Sequence, residues 1–360
     1  MARKLKSDKV LFIATILLVG VSVVMVYSAS AAIAQYHYLL RQGLWASMGI
    51  AVLAIAMRID YRTYRNEAFI WMTLAVVAVM LVAVLFSAPV NGARRWIGVA
   101  GLTIQPSELA KLVCVLFTAL MLERRMHRIN EVSYSLTPIA IVTGVFAVLI
   151  LLERDYGTAL SLLLIVAVMV FGAGLSFRYI LGVALVAVPT VFAVLIAAPY
   201  RRARLLAFLH PELDPRGDGF QIIQSLIAVG TGGVFGRGLM EGVQKLFYLP
   251  FPHTDFIYAV IGEELGLIGT TLILVSFCVV AWRGLRIAAF AEDRFGALTA
   301  LGLTTMIGVQ AFVNMSVVLG LLPTKGIPLP LVSSGGSSLM VCMLGIGLLL
   351  NISQHETANA

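Results

Sequence analysis

The stretch LPFPHTDFIYAVIGEELG, residues 249–266, carries His253 and three carboxylates, Asp255, Glu263 and Glu264, directly into an apolar run. A carboxylate at such a junction can take or give a proton in a reaction. It can equally be the N-cap of the helix that follows, because Asp is a good cap, and the sequence leaves both readings of Asp255 open. In ERDYGT, residues 153–158, Asp155 with Thr158 reads first as a helix cap. In QPSELAK, residues 105–111, Glu108 and Lys111 are three apart on one helical face, where opposite charges meet. Arg94, Arg95, Arg201, Arg202, Arg204, Lys245 and Lys325 form a basic set that could hold phosphates or simply be solvated in loops. SSGGSS, residues 333–338, offers the hydroxyls of Ser333 and Ser334 and flexible amides, as a helix cap or an anion nest would. GTGGVFGRG lacks the spacing of a nucleotide phosphate loop.

These groups lie in a chain that is 60% hydrophobic and 12% charged over 360 residues, with mean hydropathy +0.97. Soluble domains are roughly 25% charged, so this is an integral membrane protein. A helix needs ~20 apolar residues to cross the hydrocarbon. The intervals 10–40, 68–93, 132–152, 156–177, 179–200, 265–282, 295–324 and 326–355 all lack Asp, Glu, Lys and Arg. The interval 42–57 makes a ninth, shortish span, and 103–122 a tenth that tolerates Glu108 and Lys111. Runs this continuous exclude a barrel, whose strands alternate. The expectation is an all-α polytopic bundle of about ten transmembrane helices, one domain over 1–360, with a long extracytoplasmic loop at about 198–254. The first span follows Arg3, Lys4, Lys6 and Lys9 and is longer than a cleavable signal, so it reads as an anchor despite the small residues at 28–32.

With the N-terminus inside, fourteen of the 26 Lys and Arg fall on the cytoplasmic side, and half of the rest sit in the one long loop, where the positive-inside rule has little force. Both termini are then cytoplasmic. Arginines flanking spans account for the net charge of +8 without nucleic acid; anionic membrane lipid is the partner they fit. Cys114, Cys278 and Cys342 all lie inside apolar spans, so no disulfide framework is readable, and the five histidines show no metal-ligand spacing. The exceptional segments NGARRWIG, QPSELAK, ERDYGT, PHTDF and LPTKGIPLPLVSSGGSS all fall at the outer face. A transporter working by alternating access would concentrate such residues near the midplane.

Together these motifs resemble the SEDS family, the RodA and FtsW proteins, over nearly the whole chain. NGARRWI, QPSELAK, FQIIQSLIAVGTGG, PHTDFIYAVIGEELG and GLLPTKGIPLPLVSSGGSS occur in family order. ERDYGTA departs from the more usual QPDLGTA form, which leaves Glu153 and Arg154 without a role. The resemblance implies a peptidoglycan glycosyltransferase of the bacterial cytoplasmic membrane that polymerises lipid II, working with a class B penicillin-binding protein. It puts the essential aspartate at Asp255 and an activity-linked tryptophan at Trp96. GIPLPLVS and short tails favour RodA, YLPFPHTDFIYAVIGEELG and LLPTKG favour FtsW; the reading leans to RodA, hence elongation.

Sugar transfer from a diphosphate carrier needs one base to deprotonate the acceptor, since the leaving group is already good, whereas glycoside hydrolysis takes two flanking carboxylates. Asp255 is the expected base, with Glu108, Lys111, Trp96, Arg94, Arg95, Asp155, Lys325, Ser333 and Ser334 lining the cavity. The cofactor stays open, a divalent cation (Mg or Mn) being the candidate to stabilise the departing diphosphate. The rival readings are a lipid II flippase and a scaffold for the transpeptidase.

Overall fold

The computed structural model describes residues 7–355 apart from 33–34, 90–92, 100–101, 180, 183–184, 186–188, 190–198, 218 and 325. Its helices are α1 (Lys9–Ala29), α2 (Gln35–Arg58), α3 (Glu67–Val84), α4 (Pro106–Arg125), α5 (Val132–Ser135), α6 (Thr137–Leu152), α7 (Tyr156–Gly172), α8 (Pro199–Leu209), α9 (Phe220–Gly232), α10 (Ile257–Phe290), α11 (Arg294–Val318) and α12 (Gly336–Ser353). By length and hydropathy α1, α2, α3, α10, α11 and α12 can each cross a membrane. Helices also occupy the positions expected for spans at 103–122, 132–152 and 156–177. The span expected at 179–200 lies largely outside the described residues. The protein is thus a polytopic helical membrane protein.

The first charge-free interval contains a turn that composition does not mark. The chain leaves α1 after Ala29 and re-enters a helix at Gln35, so the short ninth span is a full-length helix. It carries polar groups inside its first turns because each has a partner: Gln42 Nε2 donates to Ser22 Oγ at 2.6 Å, and Arg41 to Thr103 Oγ1 at 3.1 Å. A two-stranded ribbon, β1 (Ile97–Val99) with β2 (Leu102–Ile104), adds to the all-α expectation; it pairs antiparallel with Ile97 opposite Ile104.

Ion pairs and polar clasps gather one end of the bundle. Arg283 reaches Asp8 at 2.5 Å, Arg62 reaches Glu292 at 2.6 Å, Arg65 reaches Glu123 at 2.9 Å, and Tyr61 donates to Asp293 at 2.6 Å. This end holds the start of α1, the α2–α3 and α10–α11 links and the ends of α4 and α12. The opposite end holds the α3–α4, α6–α7 and α11–α12 links and the segment entering α10. α12 is buried along most of its length and packs on α2, where a Cβ on Gly336 would come within 2.0 Å of the Trp45 ring.

α10 is broken rather than continuous. Gly266 has φ 65 and ψ −159, a left-handed conformation that glycine adopts without a Cβ penalty. The backbone groups freed there pair with the segment after α9: Leu267 N with Gly233 O at 2.9 Å, Ile268 N with Val234 O at 3.2 Å, and in return Arg237 N with Glu263 O at 3.0 Å and Gly238 N with Glu264 O at 3.1 Å. The second half of the long loop is therefore built into the bundle through the break.

Candidate functional site

Asp255 sits two residues ahead of α10, but it does not cap that helix. The cap position is Phe256, and among the described residues no side chain bonds the first turn. The reason is local geometry: the 251–256 turn closes on itself through Phe256 N to Phe251 O at 3.4 Å, and Phe251 is in a left-handed conformation with φ 54. The Asp255 carboxylate is left half-buried beside Arg95 and Gly326. Desolvation pushes its pKa up to about 6, with Arg95 opposing and Asp155 adding to the rise.

The turn carrying Asp255 is held from two sides. Ser333 Oγ donates to Thr254 O at 2.6 Å and accepts from Leu329 N at 2.8 Å, while Ser334 N donates to His253 O at 2.9 Å. The Ser333 hydroxyl and the Ser334 amide are thus spent on holding the turn; α12 starts at Gly336 with no side-chain cap bond. His253 packs on Tyr38 with ring centroids 4.6 Å apart, and burial lowers its pKa.

Arg95 joins the site to the α6–α7 turn. It donates to the carbonyl of Arg154 and lies 3.9 Å from Asp155. Arg154 has φ 63, and the left-handed residue presents that carbonyl. Asp155 is the cap foreseen, accepting from Thr158 N at 3.2 Å and Thr158 Oγ1 at 2.9 Å, yet it also accepts from Gln105 at 3.1 Å and faces Arg95. Capping and site geometry are thus the same residue's two contacts. Glu153, whose place was open, is fully buried, and neither of its carboxyl oxygens meets a hydrogen-bond partner among the described residues. Desolvation, then the charge of Asp155, pushes it up to about 8 against the pull of Arg95.

Glu108 and Lys111 pair at 2.8 Å as their spacing predicts, and both are buried inside the bundle, 3% and 2% exposed. Lys111 passes the contact on to Gln310 Oε1 at 2.8 Å, and Gln310 Nε2 donates to Pro328 O at 3.3 Å. The pair therefore supports the 326–335 segment from below. Arg94 is turned away from the group and donates to Leu85 O at 2.7 Å. Trp96 is half-buried just before β1. Lys325 lies outside the described residues, as do the side chains of Arg201 and Arg204.

Glu263 and Glu264, both fully buried, are satisfied by the loop folded over them. Glu263 accepts from Val243 N at 2.8 Å and Gln244 N at 3.1 Å; Glu264 accepts from Met240 N at 3.1 Å, Ser28 Oγ at 2.7 Å and Lys245 Nζ at 2.6 Å. This removes Lys245 from the phosphate-holding set, because its ammonium is consumed inside the protein. It also explains acids in the apolar run: they bind the loop to α1 and α10.

Gln310 and Asn314, one turn apart on α11, were not singled out from the sequence. The only signal was two amides on an otherwise apolar helix. Among the described residues no three of His, Cys, Asp and Glu converge as a metal-holding group, and the cation between Asp155 and Asp255 is Arg95. The side chains here do not by themselves fit a divalent ion. What the arrangement offers is a desolvated carboxylate poised to accept a proton, with a guanidinium close by for developing negative charge.

Residues 8–358 match the model of the cell cycle protein family that comprises FtsW, RodA and SpoVE. A Geobacter sulfurreducens protein named probable peptidoglycan glycosyltransferase FtsW is 44% identical over 353 residues, covering 96% of this chain and 95% of that protein. A solved peptidoglycan synthase complex, described as coordinating polymerization and crosslinking, contains a chain that superposes with TM-score 0.82 at 31% identity, covering 97% of this chain and 98% of that one. The crystal structure of RodA from Thermus thermophilus superposes with TM-score 0.73 at 28% identity, covering 99% of each chain.

Proposed function

Because the chain belongs to the FtsW, RodA and SpoVE family of cell cycle proteins, we propose that it is a peptidoglycan glycosyltransferase that polymerises lipid II into β-1,4 glycan strands. The lean to RodA gives way to a division-type reading: the relative at 44% identity carries the FtsW name, whereas the RodA structure is 28% identical. The observation that carries the reaction is the Asp255 carboxylate, desolvated and facing Arg95 at the mouth of α10.

In the proposed step Asp255 takes the proton from the acceptor GlcNAc 4-hydroxyl as that oxygen attacks the anomeric carbon of the donor sugar. The bond to undecaprenyl diphosphate breaks, its electron pair leaves on the diphosphate, and the configuration inverts. Arg95 supplies positive charge beside the reacting groups, and Asp155 holds Arg95 in place. A class B penicillin-binding protein is the proposed partner, supported by the likeness to the synthase complex. Purified protein given lipid II in detergent is expected to form glycan polymer, which a flippase or a bare scaffold does not. Absence of polymer, with or without the partner, would sink the assignment.

Two further results follow from this reading. An acid whose pKa is raised is protonated, and useless as a base, until the pH exceeds the raised value. The rate of polymerisation is therefore expected to fall about tenfold per pH unit below about 6. A limb near ~4, where a free aspartate titrates, would contradict the desolvated base. For topology, the bacterial cytoplasmic membrane is the proposed location, with both termini cytoplasmic and residues 198–254 outside. Cysteines placed at Glu212 and Arg216, both exposed in the loop, are expected to react with an impermeant thiol reagent in intact cells. Labelling only after the membrane is opened would invert the orientation.

A further inference from the structure

Asn314 is buried at 2% exposure on α11, and its side-chain nitrogen is shared between two carbonyls that come from distant segments. It donates to Asp255 O at 2.8 Å and to Ile327 O at 2.7 Å. An amide NH2 has two donors, so both are used. The amide oxygen has no hydrogen-bond partner among the described residues. The orientation is nevertheless forced, since a flipped amide would aim that oxygen at two carbonyl oxygens.

The two bonds have a consequence for the carboxylate. They hold the main chain at 326–327 against Asp255, so closely that a Cβ on Gly326 would lie 3.2 Å from Asp255 Oδ2 and 4.0 Å from Arg95 Nη1. A glycine packed where even a Cβ would crowd the carboxylate limits the water that can reach it from that side, and among the described residues no hydrogen bond to the carboxylate replaces that water. Desolvation that Arg95 offsets only in part disfavours the charged form and makes the group a stronger base. The wall is itself supported one helical turn away, where Gln310 bonds Pro328 O. Among the described residues the charged groups that face Asp255 are Arg95, from the segment before β1, and Asp155, at the start of α7. Asn314 and Gly326 carry no charge themselves, so Asn314 acts on Asp255 through the main chain it holds.

We propose that Asn314 is the positioning residue that sets the basicity of Asp255, by tying the Asp255 and Ile327 carbonyls together and so keeping the 326–327 main chain against the carboxylate. The inference rests on the reading of Asp255 as the base. It makes the strength of that base a property of α11, a helix that itself contributes no charged group to the site.

Asn314→Leu keeps roughly the volume and removes both donors. The Asp255 carboxyl is followed directly in the purified protein, by the infrared carboxyl band that Asp255→Asn abolishes, alongside polymerisation of lipid II across pH. In folded Asn314→Leu protein the carboxyl midpoint is expected to drop by about one unit toward that of a free aspartate, as regained hydration demands. The acid limb of kcat should move with it, while KM for lipid II changes less than about threefold, because binding groups are untouched. A midpoint that stays where it is in the wild type overturns the role of Asn314. A midpoint that moves without the acid limb supports that role and overturns the base reading beneath it. Should the Leu chain fail to fold, Asn314→Ser gives the same comparison, since its short hydroxyl can donate to one carbonyl at most.

Discussion

Asp255→Asn is expected to fold and insert like the wild type, to bind lipid II, and to polymerise it at least ~100-fold more slowly, since general-base catalysis contributes ~10² to 10⁴. The structural side of this expectation is firm because the carboxylate caps nothing: α10 begins after Phe256 with no side-chain bond to its first turn. What the fold uses is the main-chain carbonyl of Asp255, held by Asn314 at 2.8 Å, and asparagine keeps it. For the same reason Asp255→Ala should fold as well, and the ~0.5 to 2 kcal/mol lost with a true cap should not appear. Thermal unfolding in detergent, lipid II binding and polymer length on a gel check the three parts separately. Near-normal polymer from folded Asn protein would remove Asp255 from the chemistry and leave Arg95 and Asp155 to be explained otherwise.

Removing one partner of the Glu108 and Lys111 pair is expected to be strongly destabilising. Both side chains are buried within α4 and bonded at 2.8 Å, and an uncompensated buried charge costs about 3 to 5 kcal/mol. Glu108→Ala or Lys111→Ala should therefore sharply lower the yield of folded protein. The double Ala variant, with no charge left to bury, should recover much of it, giving a coupling of ~0.5 to 3 kcal/mol in the cycle. Activity should not return in step with folding. Lys111 also holds Gln310, which bonds Pro328 O at 3.3 Å, so the wall of the site loses its support in the double variant. Single losses that simply add would show that the two residues act apart, and full activity in the double variant would show that the wall does not depend on them.

The division between what was legible and what was not follows the range of the interactions. Composition alone determined that this is a helical membrane protein, because the hydrocarbon thickness demands long apolar runs whatever the fold. Local spacing determined the cap at Asp155 and the pairing of Glu108 with Lys111, both settled within one helical turn. Motif order pointed to the family and to Asp255. The end of α1 at Ala29 was not marked because charge-free intervals record hydropathy, and the interval 10–40 runs without charge from α1 into the start of α2. Lys245 read as a free loop cation because its neighbours in sequence are indifferent to Glu264, which reaches it only when α10 breaks at Gly266. Arg94 and Arg95 are adjacent in sequence, yet one bonds Leu85 O and the other faces Asp155, a separation that no spacing rule contains. Asn314 and Gln310 looked like stray amides on an apolar helix until the 326–335 segment was laid over them. Local propensity and bilayer thickness could set the helices from sequence, whereas the site depends on which turns meet at one end of the bundle. Those meetings are made by long-range hydrogen bonds and packing, so only the tertiary structure decided that Asp255 stands uncapped, desolvated and beside Arg95.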